Sequence, residues 1–157
     1  MRRFSLISTM LAAMALLVMP VAGFASADKG TADEAHAMVE KAAALLKDAG
    51  PDKAFAAFDD PANKDFHDRD LYIFVRSMDG NTVAHGANKG MIGHTNLDLK
   101  DADGKPYNKE MIDLATSKGS GWVDYRWVNP VSHKIEPKSS FILKVGDYVV
   151  GAGFYKD

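Results

Sequence analysis

The spacing of apolar residues changes near Leu71, and this change constrains the fold of the chain more than any other feature. Upstream, apolar residues recur every three or four positions, which is typical of an amphipathic helix. Downstream, residues 71–78 are rich in β-branched and aromatic side chains and predict a strand. Helices followed by strands indicate an α+β domain in which helices cover a sheet. The helical set comprises Ala35, Met38, Val39, Ala42, Leu45 and Leu46.

Local patterns mark the ends of the helical elements. Thr31 and Glu34 stand three positions apart, the spacing of a capping box, so we expect the first helix to begin directly after Thr31. The Gly-Pro pair at positions 50–51 ends this helix. A second short helix is expected from Asp52. Residues 59–70 are polar and predict a loop with one helical turn.

The second half of the chain predicts a sheet interrupted by one crossover. The Asp-Gly pair at positions 79–80 is typical of a hairpin turn, so a second strand is expected over residues 82–87. A helix follows over residues 108–118. Because the links between neighbouring strands are short, the sheet of about five strands should be antiparallel. The remaining strands are predicted over residues 122–127, 139–145 and 148–154.

The N-terminal segment, residues 1–27, has the layout of a secretory signal peptide. Two arginines are followed by an apolar run at residues 11–19 and by small residues at a cleavage position, 25–27. We therefore expect a periplasmic protein whose mature domain is residues 28–157. The alternative is an uncleaved segment that anchors the domain to the inner membrane. Polar residues interrupt the run, whereas a spanning helix needs about 20 apolar residues.

Composition and motifs exclude several classes of function. The formal charge of the 157 residues is -2 and they form no basic stripe, which does not suit nucleic-acid binding. The chain has no cysteine, so disulfides, thiolate metal sites and cysteine nucleophiles are excluded. Its five histidines are scattered, so we expect neither metal nor cofactor. Because no nucleophile elbow and no phosphate-binding glycine loop is present, we expect no catalytic activity.

Three segments carry a resemblance to a known family. They read LYIFVRSMDGNTVAHGAN from Leu71, IGHTNLDLKDADGK from Ile92 and GSGWVDYRWVNPVSHKIEPKSSFILKVGDYVVGAGFY from Gly119. In order and spacing they resemble the single Cache domain over residues 32–155. This domain is an extracytoplasmic relative of the PAS fold and the sensor module of chemoreceptors and histidine kinases. The resemblance implies a long N-terminal helix packed on a five- to six-stranded antiparallel sheet, with a ligand pocket between the sheet and the crossover.

The resemblance also implies a ligand class and a partner. Ligands of such domains tend to be small carboxylates, of the acetate, propionate, pyruvate and lactate class. Sensor domains of this type sit between two membrane helices, whereas this chain ends at Asp157, so we expect a free binding protein or a subunit that serves a membrane receptor or sensor kinase. The alternative is a periplasmic interaction module for such a receptor, with a vestigial pocket. A homodimer through the N-terminal helix stays open.

One predicted strand, residues 122–127, presents candidate ligand contacts. Alternation places Tyr125 and Trp127 on one face of the sheet and Arg126 on the other, beside Asp124. A hydroxyl and an indole N–H suit a carboxylate pocket, although both aromatic residues could equally be core. Arg126 either pairs with Asp124 on the solvated face or reaches the ligand through a shifted register.

Four more candidate contacts come from other segments. Lys138 is either solvated at the start of its strand or, as the resemblance implies, a ligand contact. Ser139 or Ser140 could add a hydroxyl donor, and because neighbours in a strand alternate, only one of them can face the pocket. His85 could donate to a carboxylate in its neutral form, or bond to backbone. Tyr72 is a candidate wall of the pocket or a plain core residue.

Overall fold

The computed structural model describes residues 29–157, and the expected signal peptide, residues 1–27, lies outside this part of the chain. The predicted capping box is confirmed: the Glu34 N–H donates to Thr31 Oγ1 at 3.3 Å, and the Thr31 N–H donates to Glu34 Oε2 at 2.9 Å. The α-helices of the described part are α1 (Ala32–Ala49), α2 (Pro51–Phe58) and α3 (Tyr107–Lys118).

The described strands form a two-residue pairing and one five-stranded sheet. In the large sheet the spatial order is β4-β3-β7-β6-β5, and every neighbouring pair is antiparallel. This confirms the predicted α+β fold with a long N-terminal helix and an antiparallel sheet. The strands are β1 (His67–Asp68), β2 (Leu71–Tyr72), β3 (Phe74–Ser77), β4 (Thr82–His85), β5 (Ser120–Val128), β6 (Ile135–Val145) and β7 (Tyr148–Tyr155).

The strand predicted over residues 71–78 is divided in two. Leu71 and Tyr72 pair with β1, whereas the chain from Phe74 onward pairs with β4 and β7. Ile73 lies between the two pairings: its N–H donates to Phe66 O at 3.3 Å and its carbonyl accepts from Gly86 N–H at 2.9 Å. This stretch of the chain therefore contributes a strand to each sheet, β2 to the two-stranded sheet and β3 to the five-stranded sheet.

The two faces of the sheet carry separate apolar clusters. Helices α1 and α2 cover one face, where Val39, Phe58 and Val150 are fully buried. Helix α3 lies against the opposite face, and we call this the α3 face; the buried residues there include Tyr72, Phe74, Tyr107, Met111 and Ile142. Side chains alternate between the two faces of the sheet, so β2, β3, β6 and β7 each contribute to both clusters.

The close approach of Phe74 to the backbone of β7 explains a glycine in that strand. Phe74 and Gly151 are direct cross-strand partners. A Cβ added at Gly151 would lie 2.6 Å from Phe74 Cε2, so the phenyl ring occupies the space of a side chain. This glycine therefore allows an aromatic ring to lie flat on the α3 face.

The beginning and the end of the described chain lie side by side. Lys29 Nζ donates to Lys156 O at 3.4 Å and pairs with Asp157 Oδ1 at 3.1 Å. Within residues 29–157, none of the helices is long and apolar enough to cross a lipid bilayer.

Candidate functional site

A cavity of about 400 Å³ opens on the α3 face of the sheet. Its walls come from β2, from the loop after β4 and from the hairpin between β5 and β6. Three residues expected to contact a ligand, Tyr72, His85 and Trp127, line it. The full lining is Tyr72, His85, Ala87, Asn88, Met91, Trp127, Val128, Pro130 and His133.

His85 is a buried, neutral hydrogen-bond donor in the wall of this cavity. Its side chain is 3% exposed, and its ring lies 5.1 Å from the Tyr72 ring. Burial, assisted by the nearby charges of Lys138 and Arg76, lowers the pKa of His85 from 6.5 to about 3. Nδ1 accepts the Asn88 N–H at 3.0 Å, so the proton of the neutral ring resides on Nε2. The imidazole can therefore offer an N–H to a ligand.

Lys138 is a fully buried cation directly behind the cavity wall. Its residue is 1% exposed, and Nζ lies 4.0 Å from the centroid of the Tyr72 ring and 4.7 Å from that of Tyr155. Among the described residues, none accepts a hydrogen bond from this ammonium. Burial lowers the pKa of Lys138 from 10.5 to about 7, against the attraction of Asp70. The charge is held by aromatic faces and is close to titration at neutral pH.

Arg76 is a second buried cation on the same face, and it was missed in the sequence. It is 3% exposed; Nη1 donates to Thr82 Oγ1 at 2.9 Å, and Nε has no partner within residues 29–157. Burial lowers its pKa, and the charges that oppose this effect belong to tyrosines rather than to a carboxylate. The alternation of Tyr72, Phe74 and Arg76 along the predicted strand 71–78 was the pattern that could have placed it here.

Two further buried polar atoms lie at the start of α3, where Tyr107 interacts electrostatically with Arg76. In the described part of the chain, the Tyr107 hydroxyl and Asn108 Oδ1 also lack hydrogen-bond partners. Asn108 Nδ2 is satisfied, because it donates to Asn96 O at 2.6 Å. Unpaired polar atoms in a core are costly. The Tyr107 hydroxyl and Asn108 Oδ1 therefore form a polar region within the core, beneath the crossover.

Tyr125 supports the site rather than lining the cavity. Its hydroxyl lies 3.0 Å from Ser140 Oγ, and its ring stacks on Tyr107 with a centroid distance of 4.6 Å and an interplanar angle of 3°. The Trp127 ring lies 6.4 Å further along the same strand face, at the cavity. Tyr125 thus packs under α3, and Trp127 is the half-buried end of the row.

The structure places Arg126 and Ser139, two of the predicted ligand contacts, on the other face of the sheet, so neither residue lines the cavity on the α3 face. Arg126 Nη2 donates to Ile135 O at 3.3 Å, outside the site. Ser139 is the cross-strand partner of Asp124, on the face opposite Lys138. The register is regular along β5 and β6, so alternation holds and Ser140, not Ser139, shares the face of Lys138.

Comparison with known proteins identifies the family. A family model described as Cache domain matches residues 62–157. The chain belongs to the Cache domain family. In sequence, residues of this Cache domain are 38% identical over 91 positions to the sensor histidine kinase MctS of Rhizobium johnstonii (strain DSM 114642 / LMG 32736 / 3841). The match covers 57% of this chain and 20% of the kinase, so the chain spans about a fifth of the length of this curated relative.

Two solved structures share the fold. One, described as the periplasmic sensor domain of a chemotaxis protein, has a TM-score of 0.65 and 28% identity, with 80% of this chain and 90% of that chain covered. The other, a Cache chemosensory domain solved for the structural basis of carboxylic acid recognition, has a TM-score of 0.70 and 22% identity, with 80% and 92% covered. The Cache domain is therefore homologous to sensor domains of chemotaxis proteins and histidine kinases.

Proposed function

We propose that this Cache domain binds the anion of a small monocarboxylic acid and serves as a sensing module without catalysing a reaction. The observation that carries the proposal is the pair of buried cations on the α3 face, Lys138 and Arg76, of which Lys138 lies against the wall residue Tyr72. Among residues 29–157, the one buried carboxylate is Asp70. Two cations and one anion leave an unbalanced positive charge, which a single carboxylate would neutralise.

Neutral donors around the cavity suit the oxygens of such an anion. His85, Trp127 and Tyr72 line its wall and carry an imidazole N–H, an indole N–H and a hydroxyl, and the Tyr72 hydroxyl also interacts with Tyr155 and Trp127. A bound carboxylate would also stabilise the protonated form of Lys138 behind Tyr72, because opposite charges attract strongly in a buried setting. Met91 and Val128 supply apolar wall for a short aliphatic tail. Few polar groups within an apolar cavity are typical of small-ligand sites.

A structural neighbour supports the same ligand class. That neighbour is the solved Cache chemosensory domain described as recognising carboxylic acids. For this chain we infer ligands of the acetate, propionate, pyruvate and lactate class. Because Arg126 and Ser139 lie on the opposite face, we infer that Lys138, His85, Tyr72 and Trp127 form the site, with Tyr125 in support.

We further propose an extracytoplasmic location and a signalling partner. Residues 1–27 have the composition of a signal peptide, and one neighbour is described as a periplasmic sensor domain. A sensor domain acts through a membrane receptor or kinase, such as the class of its relative. Mass spectrometry of the exported protein tests this location: a chain that begins at Asp28 supports cleavage, and a retained N-terminus supports anchoring to the inner membrane.

Thermal denaturation with a panel of acids tests the binding proposal. Acetate, propionate, lactate and pyruvate are each added to the purified protein, with amino acids and amines as controls. A ligand at a hundredfold excess over its Kd should stabilise the fold by about 2.7 kcal/mol. Lys138→Met should remove this stabilisation, whereas Lys144→Met, which changes an exposed lysine of the same strand, should retain it.

Two outcomes would contradict the proposal. The first is the absence of a shift with every acid at millimolar concentration. The second is an unchanged affinity in Lys138→Met, which would remove that residue from the site. If the first outcome is accompanied by co-purification with a membrane receptor or kinase, the alternative function, an interaction module with a vestigial pocket, is favoured.

A further inference from the structure

Asp70 joins three parts of the domain that are distant in sequence. It is fully buried and directly precedes β2. Asp70 Oδ1 accepts the Gly30 N–H at 2.7 Å, and Oδ2 accepts from Asn129 Nδ2 at 3.3 Å. The third connection is electrostatic, because the charge of Asp70 favours the protonated form of Lys138. Among the described residues Asp70 and Lys138 form no ion pair within 4.0 Å, so this attraction acts over a longer distance.

The contact with Gly30 holds the start of α1. Gly30 is buried and directly precedes Thr31, the N-cap of this helix. A hydrogen bond from a backbone N–H to a carboxylate is stronger than one between neutral groups. The position of the chain entering α1 therefore depends on the Asp70 carboxylate.

The contact with Asn129 reaches the cavity wall. Asn129 is 2% exposed, and its Oδ1 accepts the Val131 N–H at 2.8 Å, which fixes the turn between β5 and β6. The neighbouring residues Val128 and Pro130 line the cavity. Asp70 is thus bonded to the hairpin on one side of the cavity and interacts electrostatically with the cation on the other.

We propose that Asp70 is a positioning residue that couples occupancy of the cavity to the anchoring of the N-terminal end of α1. This inference rests on the proposed binding of a carboxylate. An anion bound beside Lys138 partly cancels the positive potential that stabilises the Asp70 carboxylate. It also brings a second negative charge close to that carboxylate. Both effects raise the free energy of the buried Asp70 carboxylate relative to its solvated form, so the local opening that exposes Asp70 and releases the Gly30 N–H becomes easier.

Amide hydrogen exchange at Gly30, followed by NMR, tests the coupling. The purified protein is compared with and without propionate at a concentration that calorimetry shows to be saturating. We expect exchange at Gly30 to become about tenfold faster in the bound state, since part of a charge-assisted hydrogen bond is lost. Lys138→Met should accelerate the same amide without any ligand, because it removes the same positive field.

The charge of Asp70 is tested with a matched pair of variants. Asp70→Asn keeps an acceptor but no charge, so the Gly30 amide should no longer respond to propionate. Glu136→Gln is the control: Glu136 Oε2 also accepts from Asn129 Nδ2, at 3.1 Å, but its side chain is 19% exposed and it should leave the response intact.

The outcomes separate this inference from the proposed function. If no acid binds the wild-type protein, the proposed function fails. The coupling is then decided by comparing amide exchange at Gly30 between the ligand-free wild type and ligand-free Lys138→Met. If propionate binds and the Gly30 amide does not respond, the coupling is overturned and the binding stands. A response that persists in Asp70→Asn also overturns it. Should Asp70→Asn fail to fold, an unchanged Gly30 amide in Lys138→Met is sufficient to reject the inference.

Discussion

Replacing Lys138 with methionine should stabilise the ligand-free protein against unfolding, although the same change should abolish acid binding. The lysine is 1% exposed and has no hydrogen-bond acceptor among the described residues. Methionine has a similar length and fills the space between the two tyrosine rings without a charge. Replacing a buried charge by an apolar side chain of similar volume is often neutral or stabilising.

The magnitude follows from the pKa of Lys138, which falls from 10.5 to about 7 on folding. Each pKa unit corresponds to about 1.36 kcal/mol, so at pH 7 the buried ammonium costs about 4 kcal/mol relative to a neutral group. Methionine loses the contacts of the cation with Tyr72 and Tyr155, worth roughly 0.5–2 kcal/mol, and leaves Asp70 without its counter-charge. We therefore expect a net gain of about 2 kcal/mol at pH 7.

The gain should depend on pH with a definite sign. The folded pKa lies below the unfolded one, so the unfolded chain holds this proton more tightly. The cost of Lys138 is fully present below about pH 7 and disappears as the pH rises toward 10.5. At a pH of about 9.5 it should have fallen to roughly 1.4 kcal/mol, and the advantage of methionine should have disappeared.

Guanidinium titrations at both pH values, followed by tryptophan fluorescence, measure this difference. Lys144→Met, an exposed change on the same strand, should alter the free energy of unfolding by less than about 0.5 kcal/mol at either pH. A Lys138→Met protein that is less stable than wild type at pH 7, or a gain that is equal at the two pH values, would refute the reasoning.

Two further predictions concern the ligand site and the strand beneath it. Acid affinity should fall about tenfold per pH unit above pH 7, because Lys138 must hold a proton to pair with the anion, while His85, with a pKa of about 3, adds no step near pH 6. Calorimetry between pH 6 and 9 measures this, and a flat profile would exclude the charge of Lys138 from binding. Gly151→Ala should destabilise the fold by about 1–3 kcal/mol, because the new Cβ would overlap the Phe74 ring. Chemical denaturation checks it, and a loss below about 0.5 kcal/mol would show that the ring moves aside freely.

Most helices and strands could be predicted from the sequence because their determinants are local. The capping box at Thr31 and the turn at Gly80 need only a few neighbouring residues. The start of β6 was placed too late, at Ser139 instead of Ile135. In the prediction Pro137 precedes the strand, whereas in the structure it pairs opposite Arg126 within the ladder.

The candidate site was less predictable, because it depends on contacts between distant strands. The alternation of side chains along the predicted strand 122–127 put Trp127 on the same face as Tyr125, and in the structure Trp127 lines the cavity on that face. The burial of Lys138 could not be foreseen, since it requires the rings of Tyr72 and Tyr155 to meet over one ammonium. Arg76 could have been found, since it alternates with Tyr72 and Phe74 along the predicted strand, although charged residues are mostly exposed.

The meeting of Lys29 with Asp157 has a practical consequence for engineering. A domain whose ends adjoin can be spliced into a surface loop of an unrelated carrier protein without stretching either partner. The upstream junction would lie one residue from Gly30, whose amide is held by Asp70. Movement of that anchor would be transmitted directly into the carrier. Inserted near the chromophore of a fluorescent protein, the domain should therefore yield an optical reporter whose brightness follows the filling of the cavity.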